Sequence, residues 1–305
     1  KGARLPQPNP QNQTYHVVGS QIRTGHASGG VLDIIKHRSL LWGFVTRDLK
    51  HRYVGGAFGV LWTIVTPLAE LIIYSFVFHG LMGVRFQPSG GWENYALFLF
   101  SGMVTWLSFS DGLSHASSSI ISHAHLLKKV HFPLLLLPAH IVISAIINQT
   151  IRICVLLAAI LVLGGGLSWT VLLVPFVLFT QGIFTLGLSF LLSTTHVYFR
   201  DTKHWVSTIM LLWMFVTPVF YPAASYPAKY ALLLQLNPMA HLVGIYRELI
   251  LNSSLPHPNS CIIFLVVSFM SLFVGYSVFH HHQKKFALHQ QINLCLNNLL
   301  FLDLR

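Results

Sequence analysis

Residues 126–133 read LLKKVHFP, and the setting of this octapeptide decides the fold. The apolar run 95–117 lies before it and the apolar run 134–163 after it. Two adjacent lysines, Lys128 and Lys129, bring the backbone back to water. An aromatic and a proline follow, Phe132 and Pro133, and the chain then re-enters a run of leucines. This is the pattern of a cytoplasmic elbow between two membrane-crossing helices, shaped to press against a soluble partner.

Composition agrees with that reading. The chain is 53% hydrophobic and only 9% charged, whereas soluble domains carry about 25% charged residues. Too few charges are present to cover a water-exposed surface. A bilayer core about 30 Å thick takes about 20 apolar helical residues, and several such runs occur. The expected fold class is therefore an all-α membrane protein, one domain because its spans must pack on each other. Cys154, Cys261 and Cys295 are far apart and show no CxxC spacing, so neither a disulfide framework nor a zinc site is indicated. They read as small apolar filler.

Residues 1–30 are polar, lack the apolar core of a secretory signal, and are expected to form a flexible cytoplasmic tail. Residues 31–54 place apolar side chains at 31, 34, 35, 41, 42, 45, 49 and 53, a helical stripe, against Lys36, Arg38, Arg47, Lys50 and Arg52. Such a basic amphipathic helix lies along a membrane surface. Gly55, Gly56 and Gly59 allow a turn into the bilayer. Six spans then fit residues 55–280: 61–81 with a kink at Pro67, 95–117, 134–163, 169–192, a short fifth at 205–220 ending on Thr217-Pro218, and 261–279. Between the last two, 226–236 and 239–251 are split by Asn237-Pro238. Each is too short to cross, so they read as an outer re-entrant pair lining a cavity. Residues 281–305 form the cytoplasmic C-terminal tail.

Lysine and arginine placement fixes the orientation. With the N-terminus inside, the inner segments hold Lys1, Arg4, Arg23, Lys36, Arg38, Arg47, Lys50, Arg52, Lys128, Lys129, Arg200, Lys203, Lys284, Lys285 and Arg305, while the outer ones hold Arg85, Lys229 and Arg247. Both termini and the elbow are expected in the cytoplasm. The net charge of +11 then faces anionic inner-leaflet lipid rather than nucleic acid.

No HExxH, GxSxG or P-loop sequence is present, and no metal site is expected: the eighteen histidines are scattered, and His280–His282 suit a headgroup region. Ionisable groups inside a membrane face a cavity or a partner. Glu70, in the first span, either serves a substrate path or pairs with Arg152 of the third; Asp111 lies toward the inner end of the second. Arg247 and Glu248 either pair across a gate or anchor to headgroups. Aromatic faces stack on sugar rings, so Trp62, Tyr74, Trp106, Phe109, Trp213, Phe215, Phe220 and Tyr221, with Glu70, are candidates for a conduit. Interfacial belts and lipid-facing bulk account for other aromatics.

Over roughly residues 45–280 the chain resembles the membrane subunit of polysaccharide ABC exporters, which move O-antigen, capsule or teichoic-acid chains. The resemblance rests on Arg52-Tyr53, Gly59, Leu61-Trp62, Pro67-Leu68, Tyr95 through Gly102, Trp106, Leu127-Lys128-Lys129, Phe132-Pro133, Arg200-Asp201, Thr217-Pro218-Val219, Asn237-Pro238 and Arg247, in this order. It implies a homodimer with a channel for a lipid-linked polysaccharide between the protomers, in a bacterial cytoplasmic membrane. It also implies a separate nucleotide-binding subunit that holds ATP and magnesium, no cofactor being held by this chain. Arg47, Arg52, His125, Lys128, Lys129, Phe132, Pro133, Arg200 and Asp201 would then contact the ATPase, and Asn237, Pro238, Arg247 and Glu248 would form the outer gate. Residues 134–137, where the family often carries a charge, and the tail after Ala287 depart from the family pattern. A membrane-embedded enzyme acting on lipid-linked sugars, or an exporter of drugs or lipids, are the alternatives. If the elbow transmits force, reversing both lysines (Lys128→Glu with Lys129→Glu) abolishes polymer export in cells; export at the normal rate with the ATPase still bound excludes that role.

Overall fold

The computed structural model describes residues 35–53, 61–77, 92–123, 133–163, 165–199 and 201–302, with side chains described throughout these stretches except at 52, 53, 63, 75, 92–94 and 284–302. The elbow residues His125, Lys128, Lys129 and Phe132, together with Arg200, residues 1–34 and the glycines Gly55, Gly56 and Gly59, lie outside the described residues. Every regular element among the described residues is helical: α1 Arg38–Tyr53, α2 Trp62–Ser75, α3 Trp92–Ser117, the single turn α4 Ser119–Ser122, α5 Leu136–Val162, α6 Val174–Tyr198, α7 Thr202–Val216, α8 Ala231–Leu236, α9 Pro238–Ile250 and α10 Pro258–Leu302. Short 3-10 turns occupy Trp169–Leu173, Ala223–Ser225 and Ala228–Tyr230.

Helix α3 is the axis. From residue 95 to 106 every residue is buried, and α2, α5, α6, α7 and α9 all pack on it. Its aromatics Phe98, Phe100, Trp106 and Phe109 join Phe184 of α6, Tyr246 of α9 and Phe264 of α10 in one core. The outward surface is apolar too: Ile64, Leu68 and Ile72 on α2, Trp205 and Leu212 on α7, and Phe269 and Phe273 on α10 are exposed. A soluble protein rarely exposes so continuous an apolar surface, and here it forms the belt that lipid or another membrane protein covers.

Four stretches are long and apolar enough to cross a bilayer: Tyr95–Ser117, Leu136–Val162, Trp169–Tyr198 and Pro258–Gln283. They match four of the six expected spans. The other two correspond to α2, of 14 described residues, and α7, of 15. At 1.5 Å per residue each is about 21 Å long, short of the ~30 Å hydrocarbon core. Helix α2 passes through Pro67 without ending.

Two boundaries and one apolar face differ from the sequence expectation. The fourth span does not stop at 192: α6 runs on to Tyr198. Ser193 and Thr194 donate to the Phe190 carbonyl and Thr195 to that of Leu191, so these hydroxyls are satisfied within the helix and do not force it to end. The last helix does not stop at 279 but continues to Leu302 as one rod of 45 residues. The apolar stripe expected on the amphipathic helix is divided. Val45 is buried, with Leu41 and Leu49 partly so, where α1 packs on α5, whereas Trp42 on the opposite side is 58% exposed. Phe44 of α1, His123 after α4 and His140 of α5 meet as three rings 5.4–6.4 Å apart, which seats α1 and the near end of the elbow on the start of α5.

Helices α6 and α10 cross at Gly187 and Gly275, where the two backbones touch. A Cβ on Gly187 would fall on the Ser271–Leu272 peptide, and one on Gly275 would fall on the Gly187 carbonyl. Gly187→Val or Gly275→Val is expected to cost more than the ~1–3 kcal/mol of ordinary overpacking, because backbone cannot repack as a side chain can. Gly43→Ala, where a Cβ meets nothing, should stabilise α1 by about 0.5–1 kcal/mol. Thermal unfolding in detergent distinguishes the two.

Candidate functional site

Helix α7 ends where Thr217-Pro218 ends it. Pro218 has no N–H to return to the preceding turn, and Thr217 is already extended (φ −86°, ψ 136°). The Thr217 carbonyl accepts the Val219 N–H, but residues 218–220 present carbonyls that no helix satisfies, in a buried place where unpaired polar groups are costly. Side chains from two other helices satisfy them. Arg247 of α9 donates through Nη1 to the Pro218 carbonyl at 2.7 Å and through Nη2 to the Val219 carbonyl at 2.7 Å, with a longer contact of 3.4 Å to the Phe98 carbonyl of α3. Tyr95 of α3 donates its hydroxyl to the Phe220 carbonyl at 3.1 Å.

Arg247 is 8% exposed, and no carboxylate pairs with it among the described residues. Charge-assisted bonds to backbone carbonyls take the carboxylate's place. The Phe98 ring, 3.5 Å from the guanidinium carbon, adds a cation–π contact. A guanidinium suits this task better than an ammonium, because its planar fork reaches two adjacent carbonyls at once. Gly102 leaves room for it: a Cβ there would stand 2.7 Å from Nη2 and 3.0 Å from the Val219 oxygen.

Asn237 closes the corner. Its Oδ1 accepts from the Met239 N–H at 3.0 Å, capping α9, and from Trp213 Nε1 of α7 at 2.9 Å, while its Nδ2 donates to Thr217 Oγ1 at 3.0 Å. Pro238 at the first helical position has a fixed φ that suits the helix and no N–H left over. The broken end of α7 and the start and end of α9 are thus joined by side-chain bonds into one corner. Deeper along α9, Tyr246 donates to Gln181 Oε1 of α6 at 3.0 Å, and Gln149 Nε2 of α5 donates to the same oxygen at 2.8 Å and to the Tyr246 hydroxyl at 3.3 Å. This buried knot ties α9 to α5 and α6.

The other candidates fall in several places. Within this protomer Arg247 and Glu248 do not pair with each other. Successive residues on a helix point about 100° apart, and Glu248 instead accepts the His257 N–H at 3.0 Å. Trp106 and Phe109 are buried in the core, 2% and 0% exposed, and Trp213 packs against both with ring centroids 6.1 and 5.4 Å away. They fill this protomer's interior and leave no face to line a conduit beside it. Trp62 and Phe215 are exposed, while Tyr74, Phe220 and Tyr221 are half-buried. Phe215 stacks on Phe220 and Tyr221 on Tyr226, each pair 6.0 Å apart, beside the corner. Burial, with a lesser push from Tyr226, holds the Tyr221 phenol above its usual range. Arg47 is exposed on α1 and, with Thr46, Lys50 and His51, lines an open cavity of about 390 Å³; Arg52 follows on the same helix. Pro133 is buried just before α5, and the exposed Asp201 precedes α7.

Glu70 and Arg152 do meet: Nη2 lies 3.7 Å from Oε1, with side chains 21% and 16% exposed respectively. Among the described residues no group of three or more His, Cys, Asp or Glu is placed to hold a metal. Gln149, Gln181 and Tyr246 were not singled out from sequence. The available signal was two glutamines deep inside apolar runs, where a polar side chain needs a partner.

A family model described as "ABC-2 type transporter" matches residues 39–251. The chain is 32% identical over 259 residues to the O-antigen export system permease protein RfbA of Myxococcus xanthus, covering 84% of this chain and 97% of that protein. It is 32% identical over 250 residues to the protein of the same name from Klebsiella pneumoniae, covering 81% and 93%. It is also 20% identical over 252 residues to the polysialic acid transport protein KpsM of Escherichia coli, covering 78% and 91%.

Arg247→Met strips the donors from buried carbonyls, each worth about 1–3 kcal/mol when left unpaired, and should lower the unfolding temperature in detergent markedly. Gly102→Ala, which crowds Arg247, should be clearly destabilising in the wild-type background and less so beside Arg247→Met. Additive losses would show that the glycine serves something other than the guanidinium.

Proposed function

The chain belongs to the ABC-2 type transporter family, and from that premise we propose that it is the membrane subunit of an ATP-driven polysaccharide exporter, forming as a homodimer the channel that carries a lipid-linked polysaccharide across the bacterial cytoplasmic membrane. The observation that carries this reading is the extent of the similarity to an O-antigen export permease: 97% of that protein is covered, so spans, elbow and re-entrant segment are matched together rather than one motif at a time. The apolar outer surface, the clamped corner and the aromatic pairs beside it support the same reading.

In this proposal six spans cross the membrane with both termini in the cytoplasm, and α2 and α7 are two of them. ATP and magnesium are held by a separate nucleotide-binding subunit. Its closure presses on α1, on the elbow around Lys128 and Lys129, and on the link at Asp201. The push tilts α2 and α7, which are the thinnest-packed of the six proposed spans and have most of their outer faces exposed. Because α7 ends in the Arg247 clamp, a tilt of α7 carries α9 with it and opens the outer side. Exposed aromatics, Trp62 on α2 and Phe215 on α7, then lie on the faces that a second copy would place around the polymer.

The test is genetic and chemical. Deletion of the gene from its host should leave polysaccharide inside the cell and remove it from the surface, and plasmid-borne wild type should restore it. Surface polysaccharide unchanged on deletion, or restored while drug efflux or phospholipid movement is the function lost, would refute the reading.

A further inference from the structure

Helix α2 packs at the edge of the bundle, through Leu71 and Tyr74 against the main core. It packs on α3 and α5 alone among the helices with substantial contacts, and Leu68, Ile72 and Ile73 along it are exposed. Its one charged side chain among the described residues is Glu70, whose Oε1 faces Arg152 of α5 at 3.7 Å. The other oxygen, Oε2, is buried without a hydrogen-bond partner. A half-buried ion pair of this length is weak for its desolvation cost and is poor evidence for stability. A position inside an apolar bundle is where ionisable groups serve function.

A second acid lies on α3, which packs against both α2 and α5. Asp111 belongs to α3, the buried axis, and lies near enough to Glu70 for their charges to repel. It makes no ion pair among the described residues. Gly112 packs on Ala145 of α5, which fixes the relative height of the two helices. Arg152 is then seven residues above Ala145, about 10 Å at 1.5 Å per residue. Its side chain leans back toward the N-terminus of α5, while that of Asp111 leans toward the N-terminus of α3. The helices are antiparallel, so the two groups lean toward each other. The guanidinium that faces Glu70 on α2 therefore leans toward a second carboxylate, on α3.

We infer that Arg152 is a two-position latch: it holds α2 closed through Glu70 and passes to Asp111 when α2 tilts, so that the cation stays neutralised in both states. The inference rests on the exporter reading for its purpose, though not for its geometry. Elements with two discrete arrangements are what convert a small push into a switch. Without Asp111, α2 could leave only by stranding a cation in an apolar bundle. Without Glu70, α2 loses the ion pair that ties it to α5.

The experiment uses the full chain with its ATPase subunit in nanodiscs. Spin labels go on Ile72→Cys of α2, 66% exposed, and on native Cys154 of α5, which is free and exposed, with the other cysteines replaced by serine. ATP should lengthen the wild-type distance. Glu70→Gln should show the lengthened distance without ATP. Asp111→Asn should keep the nucleotide-free distance and lose the ATP-dependent change, with export in cells down at least ten-fold. Exchanging the charges, Glu70→Arg with Arg152→Glu, keeps the pair but places the cation on α2, where Asp111 attracts it, and should lock the short distance. A variant that merely weakened folding would broaden both states instead. Wild-type distances in Glu70→Gln, or normal export by Asp111→Asn, would overturn the latch. An ATP-dependent change in a wild-type complex that exports no polysaccharide would instead sink the exporter reading and leave the latch standing.

Discussion

Three backbone carbonyls with no helix to receive them, those of Pro218, Val219 and Phe220, govern the architecture of one end of this molecule. In water they would cost nothing. Inside an apolar bundle they must be paired, and the pairing enlists Arg247, from a segment 29 residues further on, and Tyr95, 125 residues back. Once Arg247 is committed to that role, Gly102 must stay without a side chain and Phe98 must present its ring. Asn237 completes the join by capping α9 and reaching Thr217. The proline that ends α7 is thus the reason α7 and α9 are fastened together.

The same rule, that polar groups in apolar surroundings find partners or move to find them, distinguishes two kinds of site here. The Arg247 corner and the Gln149–Gln181–Tyr246 knot are almost fully paired and buried, and they tie α9 to α3, α5, α6 and the end of α7. Glu70 and Arg152 meet only loosely, at 3.7 Å, and Asp111 makes no ion pair among the described residues. They sit where α2 meets the bundle with little other support. In the proposed exporter the first kind moves as a body and the second kind permits the motion.

The membrane architecture was legible because an apolar run of about 20 residues has one use, and the sequence marks four of the crossing helices within a few residues at most ends. Helix α6 overran its expected end because Ser193, Thr194 and Thr195 look like loop residues by composition, yet bond back to their own helix. The pieces of the corner were visible one by one: Gly102, Thr217-Pro218, Asn237-Pro238 and Arg247. Their meeting was not, since Arg247 and Phe98 are 149 positions apart and a single sequence carries no record of contact. Trp106 and Phe109 were placed in a conduit because an aromatic in a span serves either a core or a surface. Burial on α3 decides for the core. The pair Glu70–Arg152 was one of two readings left open from sequence, and the fold brings the two groups together.

In the proposed exporter the end of α7 and α9 form one rigid corner, carried as a unit when the ATPase subunit closes. The direct measurement is the distance between spin labels at Leu212→Cys on α7 and Gly244→Cys on α9, taken in the assembled transporter with and without ATP. Leu212 is exposed and a Cβ at Gly244 meets open space, so neither label disturbs the packing. A narrow distribution that stays put in both nucleotide states, and loosens when Arg247 is replaced by methionine, is the expected result. A distance that changes with ATP in the unaltered corner would mean that α7 slides past α9, and would contradict the claim.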